Sequence, residues 1–189
     1  MWFRIFLVAV LSSCAVAQQT KKPAPHVDDD FVHEQFGASC ALDPQFVPLT
    51  ADLNGDGVED LVLVARCKNA LIDQDEKNYR VIDPMNAFYG YGNPRITSSM
   101  GQRDPRLKGI SLLVIHGAGT DAWRSAKPGE KFVMINLEIK TVTVRKMKIS
   151  KKKSTTAIYV EESTGDEMTS AIYWDGKKYK YEPLGSGSE

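Results

Sequence analysis

A short loop rich in Asp, Asn and Gly leads directly into an apolar run, and no other stretch constrains the fold of this chain as strongly. Residues 52–60 read Asp-Leu-Asn-Gly-Asp-Gly-Val-Glu-Asp, and residues 61–64 read Leu-Val-Leu-Val. Calcium takes about six to eight oxygen ligands, and side chains at loop positions 1, 3 and 5 converge when a glycine permits the sharp turn at position 6. Position 7 would add a backbone carbonyl and position 9 a last carboxylate. We therefore predict a Ca²⁺ site with the ligands Asp52, Asn54, Asp56, Val58 and Asp60.

The alternative is a turn that binds no metal, because Asn-Gly and Asp-Gly pairs are also strong hairpin signals. Four carboxylates within nine residues favour the calcium interpretation, since like charges packed so closely repel one another unless a cation lies among them. These acidic residues are Asp52, Asp56, Glu59 and Asp60.

The short form of the loop, Asp-x-Asn-x-Asp-Gly-x-x-Asp before a strand, resembles the calcium hairpins of FG-GAP and VCBS repeats, which build integrin-type β-propellers. It differs from an EF-hand, because position 12 is Leu63 rather than a bidentate Glu followed by a helix. The chain also departs from the repeat pattern. Phe36-Gly37 lies further upstream than the opening pair of the family, Ala65-Arg66-Cys67 replaces the Gly-Ala-Pro that follows the strand, and the loop occurs once. We therefore expect this loop on a scaffold that is not a closed propeller.

Composition predicts one globular domain. The 189 residues are 42% hydrophobic and 25% charged, which suffices for a core and a soluble surface. Basic and acidic side chains balance at 24 each, so no bulk charge indicates a nucleic-acid partner. We place this domain at residues 31–184.

The N-terminus resembles an export signal. Residues 1–17 combine a short basic start, an apolar segment and the small-residue pattern Ala15-Val16-Ala17, which is typical of a cleaved secretory signal. A second route is open, because Leu11-Ser12-Ser13-Cys14 resembles a bacterial lipobox, in which Cys14 would be lipidated. The expected location is therefore secreted or periplasmic, or alternatively lipid-anchored to the cell envelope, with membrane contact only if Cys14 is lipidated.

Flexible segments and one helix flank this domain. Residues 18–30 contain no apolar period and are predicted to be a flexible leader, and residues 185–189 a disordered tail. Residues 31–36 are predicted to form a short helix, with carboxylates before its first turn and Gly37 at its end.

Two cysteines, Cys40 and Cys67, bracket the loop. In an exported chain such a pair predicts a disulfide, here joining the segment that enters the loop to the end of the strand that leaves it. Free thiols or a metal site are the alternatives, although the spacing is not that of Cys-x-x-Cys sites.

The remainder is predicted to be strands and turns, which makes the fold class α+β and mostly β, with antiparallel sheets. Residues 68–106 form a long irregular region with one strand at 79–82, and Asp175-Gly176 predicts a type I′ turn between the last two strands. The other predicted strands are residues 110–115, 131–137, 141–144, 155–160, 171–174 and 178–181.

Four further features have two interpretations each. The aromatic segment Phe88-Tyr89-Gly90-Tyr91 either stacks on a ligand or, as we favour, packs against the sheet. His116-Gly117 either resembles the oxyanion turn of α/β-hydrolases or simply ends a strand. The basic residues of 145–153 either bind an anionic partner or protect an edge strand, which we favour. The acidic run around residues 161–167 either binds a second cation or is a polar loop, which we favour.

Together these features predict an exported, calcium-binding structural or interaction module without catalytic residues, whose partner is an unknown protein or glycan. The alternative is a small secreted hydrolase with a site away from the loop. No Gly-x-Ser-x-Gly sequence occurs, and no histidine follows His116.

Overall fold

The computed structural model describes residues 26–91, 108–151, 153–162 and 169–185, and structural statements below concern these residues. The predicted signal segment 1–17, the candidate lipidation residue Cys14, most of the predicted leader and residues 186–189 of the predicted tail lie outside them. The helices are α1 (Asp29–Phe36), α2 (Gln74–Lys77) and α3 (Pro84–Phe88), with a 3-10 segment at Gly119–Arg124. The strands are β1 (Cys40–Leu42), β2 (Leu49–Ala51), β3 (Asp60–Cys67), β4 (Arg80–Ile82), β5 (Ile110–Ile115), β6 (Lys131–Met134), β7 (Ile139–Ser150), β8 (Lys153–Glu162), β9 (Ser170–Trp174) and β10 (Tyr179–Pro183).

Helix α1 confirms the predicted N-terminal helix and begins two residues earlier, within the range expected to be a flexible leader. The Asp28 side chain caps it, with Oδ1 accepting a hydrogen bond from the Phe31 N–H at 2.9 Å. The helix buries Val32 and Phe36 completely against the neighbouring sheet.

Sheet A contains six strands in the order β1-β3-β5-β6-β4, with β2 also paired to β3. Its neighbours are antiparallel, which confirms the prediction of antiparallel sheets, except for β4 and β6, which run parallel. Strand β5 matches the predicted residues 110–115, whereas β6 ends at Met134 rather than at Leu137.

Sheet B is an antiparallel four-stranded sheet in the order β10-β9-β8-β7. Its last hairpin confirms the predicted pairing but not the predicted turn. Asp175 donates its backbone N–H to the Lys178 carbonyl oxygen at 3.0 Å, so Gly176 and Lys177 are the two turn residues. Of these only Gly176 has a positive φ, 104°, whereas a type I′ turn needs a positive φ at both.

The hydrophobic core has two layers because both faces of sheet A are covered. Leu61, Leu63 and Leu113 face α1, while Val62, Val64 and Leu112 on the opposite face pack against sheet B. This double burial explains why β3 and β5 are continuous apolar runs rather than alternating ones. Strands account for 43% of the structure and helices for 17%, which confirms the mostly β class. The described sheets stack face to face rather than as radial blades, and neither closes into a barrel.

The predicted disulfide is confirmed. Cys40 and Cys67 are bonded, and they are directly opposite residues of the β1–β3 ladder with their Cα atoms 4.0 Å apart. The bond ties the short edge strand β1 to the strand that leaves the loop.

Residues 68–91 are more regular than predicted. Besides the expected short strand, β4, they contain α2 and α3, and α3 begins with Pro84 after the capping side chain of Asp83. Helices of four and five residues are too short to show an apolar period, which is why the sequence pattern did not reveal them. None of the helices in the described residues has the length and apolar character that spanning a bilayer requires.

Candidate functional site

The loop at residues 52–59 connects β2 to β3 and closes tightly. Ala51 and Asp60 lie opposite each other in the ladder, so the chain reverses within the eight residues between them. Gly55 and Gly57 have φ angles of 81° and 82°, a region that residues with a Cβ adopt only at a cost. The two glycines thus permit the reversal that the sequence pattern predicts.

The side-chain oxygens that were predicted to bind calcium turn onto the backbone of the loop itself. Asp52 accepts hydrogen bonds from the N–H groups of Gly55 and Gly57, at 2.7 Å and 3.1 Å. Asn54 Oδ1 accepts from the Asp56 N–H at 3.0 Å, and Asp56 Oδ1 accepts from the Val58 N–H at 2.8 Å. Asp52, Asn54 and Asp56 are therefore arranged along one turn, each holding the residue two to five positions ahead.

Asp60, the last predicted ligand, is completely buried. Its Oδ2 accepts a hydrogen bond from the Leu53 N–H at 2.7 Å, and its Oδ1 accepts one from the Gly117 N–H at 2.8 Å. Burial, together with the nearby negative charge of Asp56, raises the pKa of Asp60 to about 6 against the lowering effect of the N–H donors. The fold thus buries the carboxyl group of Asp60 at the base of the loop, where its ionised form is unfavourable.

Val58, whose carbonyl oxygen was the remaining predicted ligand, packs its side chain against the core under sheet A. Glu59, the fourth carboxylate of the loop, points elsewhere. Its Oε2 accepts hydrogen bonds from Trp123 Nε1 at 2.9 Å and Arg124 Nη1 at 2.7 Å. Glu59 therefore anchors the 3-10 segment to the loop.

In the described ranges, no three His, Cys, Asp or Glu side chains come together as a group that could hold a metal ion. The structure therefore places Asp52, Asn54, Asp56, Val58 and Asp60 on one short loop but does not bring their carboxylates to a common point. Calcium binding at these residues stays a prediction.

The loop rests against the turn that follows β5. A Cβ atom added to Gly117 would lie 2.3 Å from the Glu59 carbonyl oxygen and 2.7 Å from Val58 Cγ1, so only glycine fits there. The Gly117 N–H donates to Asp60, which leaves it no role as an oxyanion donor. Of the two interpretations of His116-Gly117, the structure therefore favours the end of a strand over an oxyanion turn, and this strand end supports the loop.

An aromatic cluster beside this turn was not predicted. His116 Nε2 lies 2.7 Å from the Tyr179 hydroxyl oxygen, and the rings of both residues pack with Phe132 and Trp174 at centroid distances of 5.1 to 5.7 Å. His116 and Tyr179 are 63 positions apart. The only local signal was the aromatic pair flanking the last hairpin turn, and only the stacking of sheet B on sheet A brings it to His116.

The buried His116 makes stability depend on pH. Burial lowers the pKa of its imidazole, and the surrounding carboxylates offset this only in part. The folded state therefore favours the neutral ring, and its contribution is present above the unfolded pKa of about 6.5 and is lost as pH falls below it. We expect the urea midpoint of the wild type to fall, relative to that of His116→Gln, between about pH 7.5 and about pH 5. Parallel pH profiles for the two proteins would contradict this. Asp60, whose raised pKa changes stability in the opposite direction, is present in both proteins, so its effect cancels in the comparison.

The aromatic, basic and acidic segments, for each of which the sequence allowed two interpretations, differ in how the structure bears on them. The ring of Phe88 lies 5.9 Å from that of Tyr181 on β10, so the expected packing against a sheet is observed for Phe88. Tyr89 and Tyr91 are 59% and 63% exposed, so the expectation is wrong for these two. Strand β7 is an edge of sheet B, as expected for the basic segment. Glu161 and Glu162 accept hydrogen bonds from neighbouring strands, whereas residues 163–167 of the acidic run lie outside the described residues.

A cleft of about 300 Å³ lies away from the loop, between α3 and the last hairpin, with Arg80, Asp83, Lys178 and Tyr179 among its lining. Asp83 Oδ2 accepts hydrogen bonds from the side-chain amides of Asn86 and Asn136. Among the described residues, the lining includes no Ser, Thr, Cys or His. The described lining therefore lacks a Ser–His or Cys–His pair.

Neither models of protein families, nor curated protein sequences, nor solved structures match this chain.

Proposed function

We propose that this protein is an exported, calcium-binding structural module that acts in the cell envelope or outside the cell. The observation that carries the proposal is the oxygen-rich loop closed by the fully buried Asp60. A carboxylate in that position, with the charge of Asp56 close by, is stabilised in its ionised form by a cation.

The donors of the loop suit calcium rather than a transition metal, because they are carboxylate and amide oxygens without a nitrogen or sulfur ligand. Asp56 is exposed and Asp52 is half-buried, so both side chains can exchange an N–H partner for a cation. The two glycines already give the loop the backbone that such a site requires. Asn54, Val58 and Asp60 would supply the other ligands.

The surroundings of the loop favour a structural role over a catalytic one. Asp60 and Glu59 connect the loop to Gly117 and to the 3-10 segment Gly119–Arg124. A cation bound at the loop would thus strengthen the junction of β3, β5 and this segment. The Cys40–Cys67 disulfide fixes the other end of β3 and is compatible with an extracellular location. The partner would be a protein or a glycan.

Calcium titration of the chelator-treated protein tests this function. We expect one calcium site in the wild type, and Asp56→Ala should abolish it because the substitution removes a central carboxylate. Asp75→Ala is the matched control, since Asp75 is an exposed carboxylate at the start of α2. Affinity should weaken by about tenfold per pH unit below about pH 6, where protons compete with calcium for Asp60. Absence of binding by the wild type, or equal binding by Asp56→Ala, would refute the proposal.

A further inference from the structure

The β7–β8 hairpin extends beyond the rest of sheet B as a two-stranded ribbon. Strand β9 pairs with β8 only at residues 157–160, whereas β7 and β8 continue to pair from Lys146↔Thr156 to Ser150↔Lys153. At about 3.3 Å per residue, this free end is roughly 13 Å long. We call residues 146–151 and 153–156 the ribbon end.

Positive charge is concentrated in this hairpin. Residues 139–160 contain no Asp or Glu, although the whole chain has zero net charge. Within the described part of the chain, the cations of the ribbon end form no ion pair. Arg145 stacks on Tyr159 and Lys146 donates to Thr156, which leaves Lys148, Lys151 and Lys153 exposed. The seven basic residues of the hairpin are Lys140, Arg145, Lys146, Lys148, Lys151, Lys152 and Lys153.

Protection of an edge strand does not explain where these charges lie. The part of β7 that forms the outer edge of the four-stranded sheet lies opposite residues 157–160 of β8. It comprises residues 142–145, which read Val-Thr-Val-Arg and include no lysine. Lysines that prevent edge-to-edge pairing would be expected there. They lie instead on the ribbon end and around its turn.

An apolar side chain accompanies the lysines at the tip. The ladder passes from Lys148↔Ser154 to Ser150↔Lys153, so Ile149 is the extra residue of a β-bulge. Ile149 is 37% exposed and lies in sequence between Lys148 and Lys151. A soluble polyanion would use the charges alone, whereas a lipid surface offers phosphate groups for the lysines and an acyl boundary for the isoleucine.

We propose that the ribbon end docks this protein on an anionic lipid surface, with Lys148, Lys151 and Lys153 contacting headgroup phosphates and Ile149 entering the interface. This contact goes beyond the proposed calcium function and requires neither the loop nor lipidation of Cys14. It therefore differs from the expectation that only a lipidated Cys14 would bring the chain to a membrane.

Co-sedimentation with phosphatidylcholine vesicles that contain phosphatidylglycerol tests the proposal, in chelator and again in calcium. Each basic residue near an anionic surface strengthens partitioning by about fivefold, so Lys148→Gln/Lys151→Gln/Lys153→Gln should weaken it by about 100-fold. The matched control is Lys68→Gln/Lys108→Gln/Lys127→Gln, which removes the same charge from exposed lysines elsewhere and should retain binding.

A second variant separates lipid from other polyanions. Ile149→Ser should weaken vesicle binding by about tenfold through lost apolar burial, while any retention on heparin stays unchanged. Unchanged thermal melts would show that these exposed substitutions leave the fold intact. The proposal is overturned if the wild type does not bind the anionic vesicles, if the control triple variant loses binding equally, or if Ile149→Ser binds vesicles as well as the wild type does. The last result would show that charge alone drives the vesicle contact, as it would for any polyanion. Binding of the wild type to anionic vesicles in chelator would show that the membrane contact does not depend on the proposed calcium site.

Discussion

Breaking the disulfide is expected to lower the free energy of unfolding by about 3.5 kcal/mol. The bond closes a loop of 27 residues, and the chain-entropy model gives this value for the restriction it places on the unfolded chain. For a domain of this size the loss corresponds to a fall in melting temperature of about 10 °C. The effect should be largest at β1, because this edge strand has only three residues and otherwise depends on its ladder with β3 and on α1. Thermal melts would measure the loss of stability, and hydrogen exchange would show whether the loss is largest at β1.

Two proteins separate the loss of the cross-link from the loss of packing. The reduced wild type keeps both sulfur atoms in the core and reports the cross-link alone, whereas Cys40→Ala/Cys67→Ala also removes buried volume and should be less stable still. Equal unfolding midpoints for oxidised and reduced wild type would show that the bond does not stabilise the fold.

Calcium is expected to raise the free energy of unfolding by about 2.7 kcal/mol when its free concentration is 100 times the dissociation constant. The melting temperature in calcium should then exceed that in chelator by roughly 5 to 10 °C. The physical reason is that a cation at the loop favours the ionised form of the buried Asp60 and joins residues that connect β3 to the turn after β5.

The quantity to compare is the difference in melting temperature between calcium and chelator, measured for each protein. Asp56→Ala also removes acceptors for the Val58 N–H and the Asn54 amide, so its absolute stability falls even without calcium. Its calcium-dependent difference should vanish, while Asp75→Ala keeps that of the wild type. If the wild type melts at the same temperature in both buffers, the loop does not bind calcium in the folded state.

Short-range patterns were sufficient for much of the fold. The apolar run at residues 110–115 is β5 with the same limits, and the carboxylates before Phe31 do cap α1. The glycines of the loop have the positive φ angles that its reversal needs. These features depend on the backbone preferences of a few neighbouring residues, which any window of sequence displays.

Pairing between segments that are distant in the sequence was harder to predict. The sequence offered no reason for β4 to run parallel to β6, and the exposure of Tyr89 and Tyr91 depends on which elements cover α3. The disulfide is the exception, because Cys40 and Cys67 are the two cysteines outside the predicted signal segment and allow one pairing.

The candidate site shows the same division. The oxygen donors of the loop and their spacing are properties of nine consecutive residues, whereas the burial of Asp60 and its bond to the Gly117 N–H join positions 57 apart. The pairing of His116 with Tyr179 likewise arises only where sheet B covers sheet A. Local conformation depends on the chain's immediate neighbours, but the burial that shifts the pKa of Asp60 and of His116 is created by segments brought together in the folded state.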